Sequence, residues 1–436
     1  MDPGPGCVKT LNGVPPTPEK KTIALGSPAF RRVNIALFGA GLSTFSTLYC
    51  VQPLMPLFSQ RYRVSPADSA LSLSLTTGVL AVAMLFAGSL ADRFGRKPVM
   101  TASLLLSALL VLATGLATDW PVLLLMRALL GITLSGVPAV AMAYINEELE
   151  TDAVGLGMGL YIGGSAVGGM SGRLLSGVLA SLWGWRTALA AVGLGALIAT
   201  ALFWRALPPS RHFTPRPTPL RNALVSLREP FQDLGLRWLF AEGFLLMGIF
   251  VTYYDYLGYR LMAAPYRFDE ATVGFLFSVY LVGIFSSSWM GHKAGRMGRR
   301  KVFWTALALL LIGILLSFCT QVPLILLSLT ALTFAFFGGH SIASSWVGRR
   351  AQAKTQAASL YLFFYYLGSA FISTCGGVFY AYWGWGGVAG LLTVLATTGL
   401  VIAWHLRKLA PIQTLAPLGT PLRRPTDHHA ADPGAL

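Results

Sequence analysis

Gly88-Ser-Leu-Ala-Asp-Arg-Phe-Gly-Arg-Lys97 is a short polar break between two apolar runs, and the chain contains it twice. Gly291-His-Lys-Ala-Gly-Arg-Met-Gly-Arg-Arg300 repeats its glycines and basic residues 203 positions later. Glycine permits a tight turn, Asp92 can face a helix N-terminus, and Arg93, Arg96 and Lys97 suit an anionic membrane surface. A second landmark has nearly the same offset. Leu160-Tyr161 followed by Trp183-Gly184-Trp185 returns 200 residues on as Leu360-Tyr361 and Trp383-Gly384-Trp385, with Gly177 matched by Gly377. Two landmarks at nearly one spacing identify an internal duplication.

Outward from these breaks, apolar residues come in runs of roughly 20, enough to cross a hydrocarbon core of about 30 Å. Of 436 residues, 54% are hydrophobic and 11% charged, with a mean hydropathy of +0.62. A soluble domain carries about 25% charged residues, so this chain cannot clothe an aqueous surface. The expected fold is an all-α membrane protein of twelve transmembrane helices in two six-helix pseudo-repeats. The spans fall near 33–58, 71–91, 99–118, 121–146, 154–180, 187–206, 238–261, 271–290, 302–321, 323–346, 357–382 and 386–405. The domains that follow are a disordered tail 1–32, a first half 33–206, a linker 207–237, a second half 238–405 and a tail 406–436.

The net charge of +16 could suggest nucleic acid, but its placement argues for topology. With twelve spans, alternate loops and the two tails collect 26 of the 33 Lys and Arg, against five in the opposite loops. The positive-inside rule then puts both termini in the cytoplasm, with the lipid bilayer as partner and no nucleic acid. Residues 1–32 hold no apolar core of signal-peptide length, so no cleavable signal is expected. Cys7, Cys50, Cys319 and Cys375 have no disulfide or metal spacing. No phosphate-binding G-x4-G-K-[ST] loop is present, so energy would come from an ion gradient rather than nucleotide, and no cofactor is expected.

The Gly88–Lys97 pattern, G-x-L-x-D-R-x-G-R-K/R after a second span, resembles the signature of the major facilitator superfamily. Arg127-Ala-Leu-Leu-Gly131 resembles that family's span-4 signature. Gly155, Gly164, Gly168 and Gly172 match the spacing of its antiporter signature, with Gly169 and Arg173 standing where proline and glycine belong. Leu48-Tyr-Cys-Val-Gln-Pro53, Phe240-Ala-Glu-Gly-Phe-Leu-Leu-Met-Gly248 and Met170-Ser-Gly-Arg-Leu-Leu-Ser-Gly177 are similar to the acriflavine-sensitivity branch of drug–proton antiporters. The resemblance implies a multi-pass inner-membrane transporter, not an enzyme, usually a monomer, exporting a small organic compound against protons. It implies a latch between halves with Asp92 as its acid and Arg93 and Arg96 as basic partners; Gly295 takes the acid's place in the second copy. Spans 1, 4, 7 and 10 would surround a central cavity.

Acids and bases inside spans are functional candidates. Glu242 and His340, at similar depth, are expected to form a proton-coupling pair. Arg127 and Asp255, each about 9 Å below the outer face, are expected to form an outer gate, with Arg260 as rival partner for Asp255 and Arg173 as a further gate candidate. Glu147 or Glu148 could complete the latch with Arg93 or Arg96. Tyr49, Gln52, Tyr144, Tyr253, Tyr254, Phe337, Phe364 and Tyr365 are candidates to line a cavity for a flat hydrophobic or cationic substrate. The leading reading is a proton-coupled exporter; uptake by symport is second, favoured by the missing proline and the missing span-1 acid. A non-transporting sensor is remote.

Overall fold

The computed structural model describes residues 22–210, Phe213, Val225 and 227–408. Cys7 and most of the tails and linker fall outside the described residues, but the first helix already begins at Pro28, capped by Ser27, inside the tail 1–32 expected to be disordered, and the last runs to Lys408. Among the described residues the secondary structure is helical apart from one isolated bridge between Ile23 and Leu149. The first half holds α1 (Pro28–Tyr49), α2 (Met55–Tyr62), α3 (Pro66–Phe94), α4 (Arg96–Leu116), α5 (Trp120–Leu134), α6 (Pro138–Glu148) and α7 (Thr151–Ala206). The second holds α8 (Leu234–Met262), α9 (Glu270–Leu276), α10 (Tyr280–Met297), α11 (Arg299–Leu316), α12 (Val322–Arg350) and α13 (Lys354–Lys408).

Local chemistry explains the helix starts. Prolines stand in the first turns of α1, α3, α5, α6 and α12, where their missing N–H costs nothing. Ser65 and Asp68 form a reciprocal capping box at α3. The breaks fall at the duplicated glycines. Gly95 and Gly298 have φ of 94° and 91°, Gly184 and Gly384 of 82° and 58°. L side chains avoid that region, so each position ends one helix and starts the next.

Nine helical stretches are long and apolar enough to cross a membrane among the described residues, where the sequence reading expects twelve spans. The difference has physical causes. At about 1.5 Å per residue the 56-residue α7 would be nearly three membranes long if straight, so it folds back at Gly184. Its two ends both lie beside the start of α1. Gly157 faces Asn34, and Arg32 donates to the Arg205 carbonyl at 3.1 Å. The 55-residue α13 bends likewise at Gly384. α11 carries Arg299, Arg300 and Lys301 in its first turn, which excludes it on charge.

Close helix packing is made by small residues, as in lipid, where van der Waals contact replaces the hydrophobic drive between helices. Gly164, Gly168 and Gly172 let α7 lie against the α1 backbone at Phe38, Leu42 and Ser46. In the second half, Gly368 lies against Phe244 and Gly376 against Thr252. The halves meet at the end far from the described termini. There Gly177 packs on Gly274 and Gly377 on Ala67, Ser59 Oγ and Tyr259 Oη are 2.7 Å apart, and Ser181 reaches Asp269 at 3.4 Å.

Candidate functional site

α1 ends at Tyr49, and Gln52-Pro53-Leu54 makes a single 3-10 turn before α2. That break aims Gln52 across the gap between halves. Its Nε2 donates to Asp255 Oδ1 of α8 at 2.5 Å, and its Oε1 accepts from Arg173 Nε of α7. Ser373 of α13 donates to Asp255 Oδ2 at 2.5 Å, and Arg173 Nη1 donates to the Gly169 carbonyl at 2.7 Å. The Arg173 guanidinium lies 3.8 Å from the Tyr49 ring centre, 4.8 Å from Tyr280 and 5.2 Å from Phe277. Arg173, Gln52, Asp255 and Ser373 are all at most 2% exposed. Buried charges persist only when partnered, and here a neutral amide relays a cation to a carboxylate between the two halves.

The expected Arg127–Asp255 gate is not formed. Arg127 donates instead to the carbonyls of Thr47, Leu48 and Ser72 at 3.2, 2.7 and 2.6 Å. The last turn of α1 leaves its carbonyls without helical partners, and the guanidinium fork supplies the missing donors. The rival, Arg260, does the same for Ser317 and Cys319, both at 2.6 Å, beside the end of α11. Of the cations expected near Asp255, it is Arg173 that is linked to it, through Gln52.

The expected Glu242–His340 pair is also absent. His340 Nδ1 lies 3.0 Å from the Tyr361 hydroxyl, and its ring packs on Tyr365 at 4.6 Å. Glu242 is fully buried beside Gly399, and neither of its carboxylate oxygens has a hydrogen-bond partner among the described residues.

At the Gly88–Lys97 loop, Arg96 sits between Asp92 and Glu147, 2.7 Å from each, so the Arg96–Glu147 pairing forms. All three belong to the first half, so this arrangement does not tie the halves together. Arg93 lies over Phe94 at 5.2 Å, and Lys97 donates to the Leu207 carbonyl at 2.5 Å. Gly95 makes the turn; Gly88 lies inside α3 with open space around it. Glu148 is buried, and its carbonyl accepts from Ile23 N at 2.8 Å. Of the antiporter-like glycines, Gly164, Gly168 and Gly172 pack on α1, whereas Gly155 meets nothing within 4 Å.

The aromatic candidates separate. Tyr144 bonds the Pro208 carbonyl at 3.0 Å and Tyr253 bonds Ser328 at 2.7 Å, so both serve packing within one half. Phe364 stacks on Phe240. Tyr49, Tyr254, Phe337 and Tyr365 belong to a continuous wall with Tyr280, Phe250 and Phe336, running from Arg173 to His340. Tyr280 is not among the expected site residues and carries no spacing signal; Ser373 is not among them either, although it stands at the 200-residue offset from Arg173. Tyr361 is likewise absent from them, although it repeats Tyr161 at the 200-residue offset.

The family model described as Major Facilitator Superfamily matches residues 37–261 and 256–428. The chain belongs to the major facilitator superfamily. It is 46% identical to the inner membrane transport protein YnfM of Escherichia coli K12 over 389 residues, covering 88% of this chain and 93% of that protein. It is 43% identical to the uncharacterized MFS-type transporter YybF of Bacillus subtilis 168 over 387 residues, covering 88% and 96%. In fold it is similar to a bacterial homolog of the human lysosomal transporter Spinster in an inward-facing, occupied conformation, with a TM-score of 0.70 at 13% identity over 88% and 98% of the two chains. The human organic anion transporter MFSD10 gives 0.66 at 18%, over 87% and 100%. The protein is thus a multi-pass membrane protein and a secondary transporter of this superfamily.

Proposed function

We propose that the protein exports a small organic compound across the inner (plasma) membrane by proton antiport, with alternating access between two halves. The observation that carries this reading is the buried chain Arg173–Gln52–Asp255–Ser373, which joins the halves at one end through groups that can exchange partners. A carboxylate held by an amide across a moving interface can trade that bond for a proton when the interface opens. Glu242 is the second proton acceptor of the proposal, because no hydrogen bond competes for its oxygens. Counting two crossings each for α7 and α13, and adding α11, the nine stretches become twelve spans. The 26-to-5 charge bias supports cytoplasmic termini, and with that orientation the end where Gly177 packs on Gly274 and Gly377 on Ala67 is a closed outer end, in an inward-facing state. The aromatic wall favours flat, apolar or cationic cargo.

Arg173 stands where the antiporter pattern has glycine, which favours symport as a second reading. Everted vesicles holding the protein should accumulate acridine-type dyes when a proton gradient is imposed. Dye loss from such vesicles under the same gradient would reverse the direction and leave the symport reading.

A further inference from the structure

The duplicated loop has kept its frame and lost its acids. At the 203-residue offset, Arg96 corresponds to Arg299, Asp92 to Gly295 and Glu147 to Arg350. The frame is shared, because Gly95 and Gly298 adopt the same positive-φ turn, α6 and α12 end at Glu148 and Arg350, and α7 and α13 begin at Thr151 and Lys354. In the first half Arg96 is held by two carboxylates. In the second both carboxylates are gone, and a cation occupies one of their places.

The result is a cleft of about 620 Å³ lined by Arg299, Arg300, Lys301, Arg349, Arg350 and Arg407, with Trp346 beside them. Asp233 is committed to Arg350, at 2.5 and 2.9 Å. Arg299 and Arg349 have no ion pair among the described residues, and the positive charge of Arg349 acts on Arg299. The cleft also includes the first turn of α11, whose N-cap Gly298 offers no side-chain acceptor to the free N–H groups. Arginine forks beside uncapped amides are a geometry suited to phosphate.

We propose that this cleft binds a phosphate-bearing anion, which takes the place on Arg299 and Arg349 that Asp92 and Glu147 take on Arg96. The phosphate could belong to an anionic lipid headgroup or to a soluble phosphate ester. The site is independent of the direction of transport.

The test uses the full-length protein in neutral detergent, with thermal unfolding followed during titration by phosphatidylglycerol, by phosphatidylcholine and by inorganic phosphate at constant ionic strength. Phosphatidylglycerol or phosphate should raise the unfolding temperature saturably, and phosphatidylcholine should not. A response to the lipid alone assigns a headgroup; a response to phosphate assigns a soluble ligand. R299Q/R349Q should weaken half-saturation about tenfold, as expected for loss of two charge-assisted contacts, while K293Q, on the neighbouring α10 and outside the cleft, should leave it unchanged. G295D restores the missing carboxylate four residues before Arg299, as Asp92 stands to Arg96, in open space, and should suppress the response by competing from within. No saturable shift in the wild type overturns the proposal, as does an undiminished shift in both R299Q/R349Q and G295D.

Discussion

Gln52 is bonded to Asp255 at 2.5 Å across the two halves, while the other end of the same amide accepts from Arg173. A neutral side chain between a cation and a carboxylate lets the pair be undone in steps, since each bond can break without stripping both charges at once. This makes Gln52 the point at which the closed end is most economically weakened.

Gln52→Leu keeps the volume and removes both bonds. Leaving a buried donor and acceptor unpaired costs about 1–3 kcal/mol each, so the closed end should lose population to the open one. Spin labels at exposed Arg61 and Arg267, one in each half, should report a longer and broader distance distribution than in the wild type. An unchanged distribution would argue that the other contacts between the halves at this end, such as Gly177 on Gly274 and Gly377 on Ala67, close it without Gln52.

Glu242→Gln removes a proton acceptor at nearly constant shape. Proton-gradient-driven dye transport in liposomes should fall at least tenfold, with folding preserved because no hydrogen bond is lost. Full retention of gradient-driven transport would exclude Glu242 from coupling.

Asp233 caps α8 and pairs with Arg350 at the basic end. Burial alone would raise its carboxyl, but the bonds from Arg350 and from the Leu236 N–H outweigh it and hold the group below its ordinary value. A folded value below the unfolded one, about 3.9, means the stabilisation is complete above that pH. It is lost as pH falls through the folded value. D233N keeps a capping oxygen and removes the charge, so it should cost about 1 kcal/mol at neutral pH. The gap between variant and wild type should close on acidification below about pH 4, followed by chemical denaturation.

The glycines of α7 should differ sharply in tolerance. A Cβ at Gly172 would come 2.6 Å from the Ser46 Cα, whereas one at Gly155 meets nothing within 4 Å. Gly172→Val should cost several kcal/mol through overpacking and abolish the folded fraction in fluorescence-detected size exclusion. Gly155→Ala should be silent.

The duplication was legible because its landmarks are glycines at φ positions that other residues avoid; Gly95, Gly298, Gly184 and Gly384 write backbone geometry directly into the sequence. The α7 packing was legible for another reason, since small residues four apart at Gly164, Gly168 and Gly172 admit a close helix neighbour. Pairings between spans were not. Depth along a helix can be counted, and on that count Arg127 matches Asp255 and Glu242 matches His340. Facing cannot be counted without the neighbours, and it is the neighbours that claim these side chains. Carbonyls freed by the break at Gln52-Pro53 take Arg127, and Tyr361 takes His340. Gln52 is legible as a cavity candidate, but nothing in its spacing says that it reaches Asp255.

Gly184 and Gly384 each turn a helix back on itself within a continuous stretch of helix, with Trp183 and Trp383 both 65% exposed beside them. Such hairpins leave almost no spare chain at those two tips. Epitope tags or protease sites for mapping sidedness would therefore disrupt the protein there, and belong instead in the exposed stretch Ala263–Pro265 between α8 and α9, where there is chain to give.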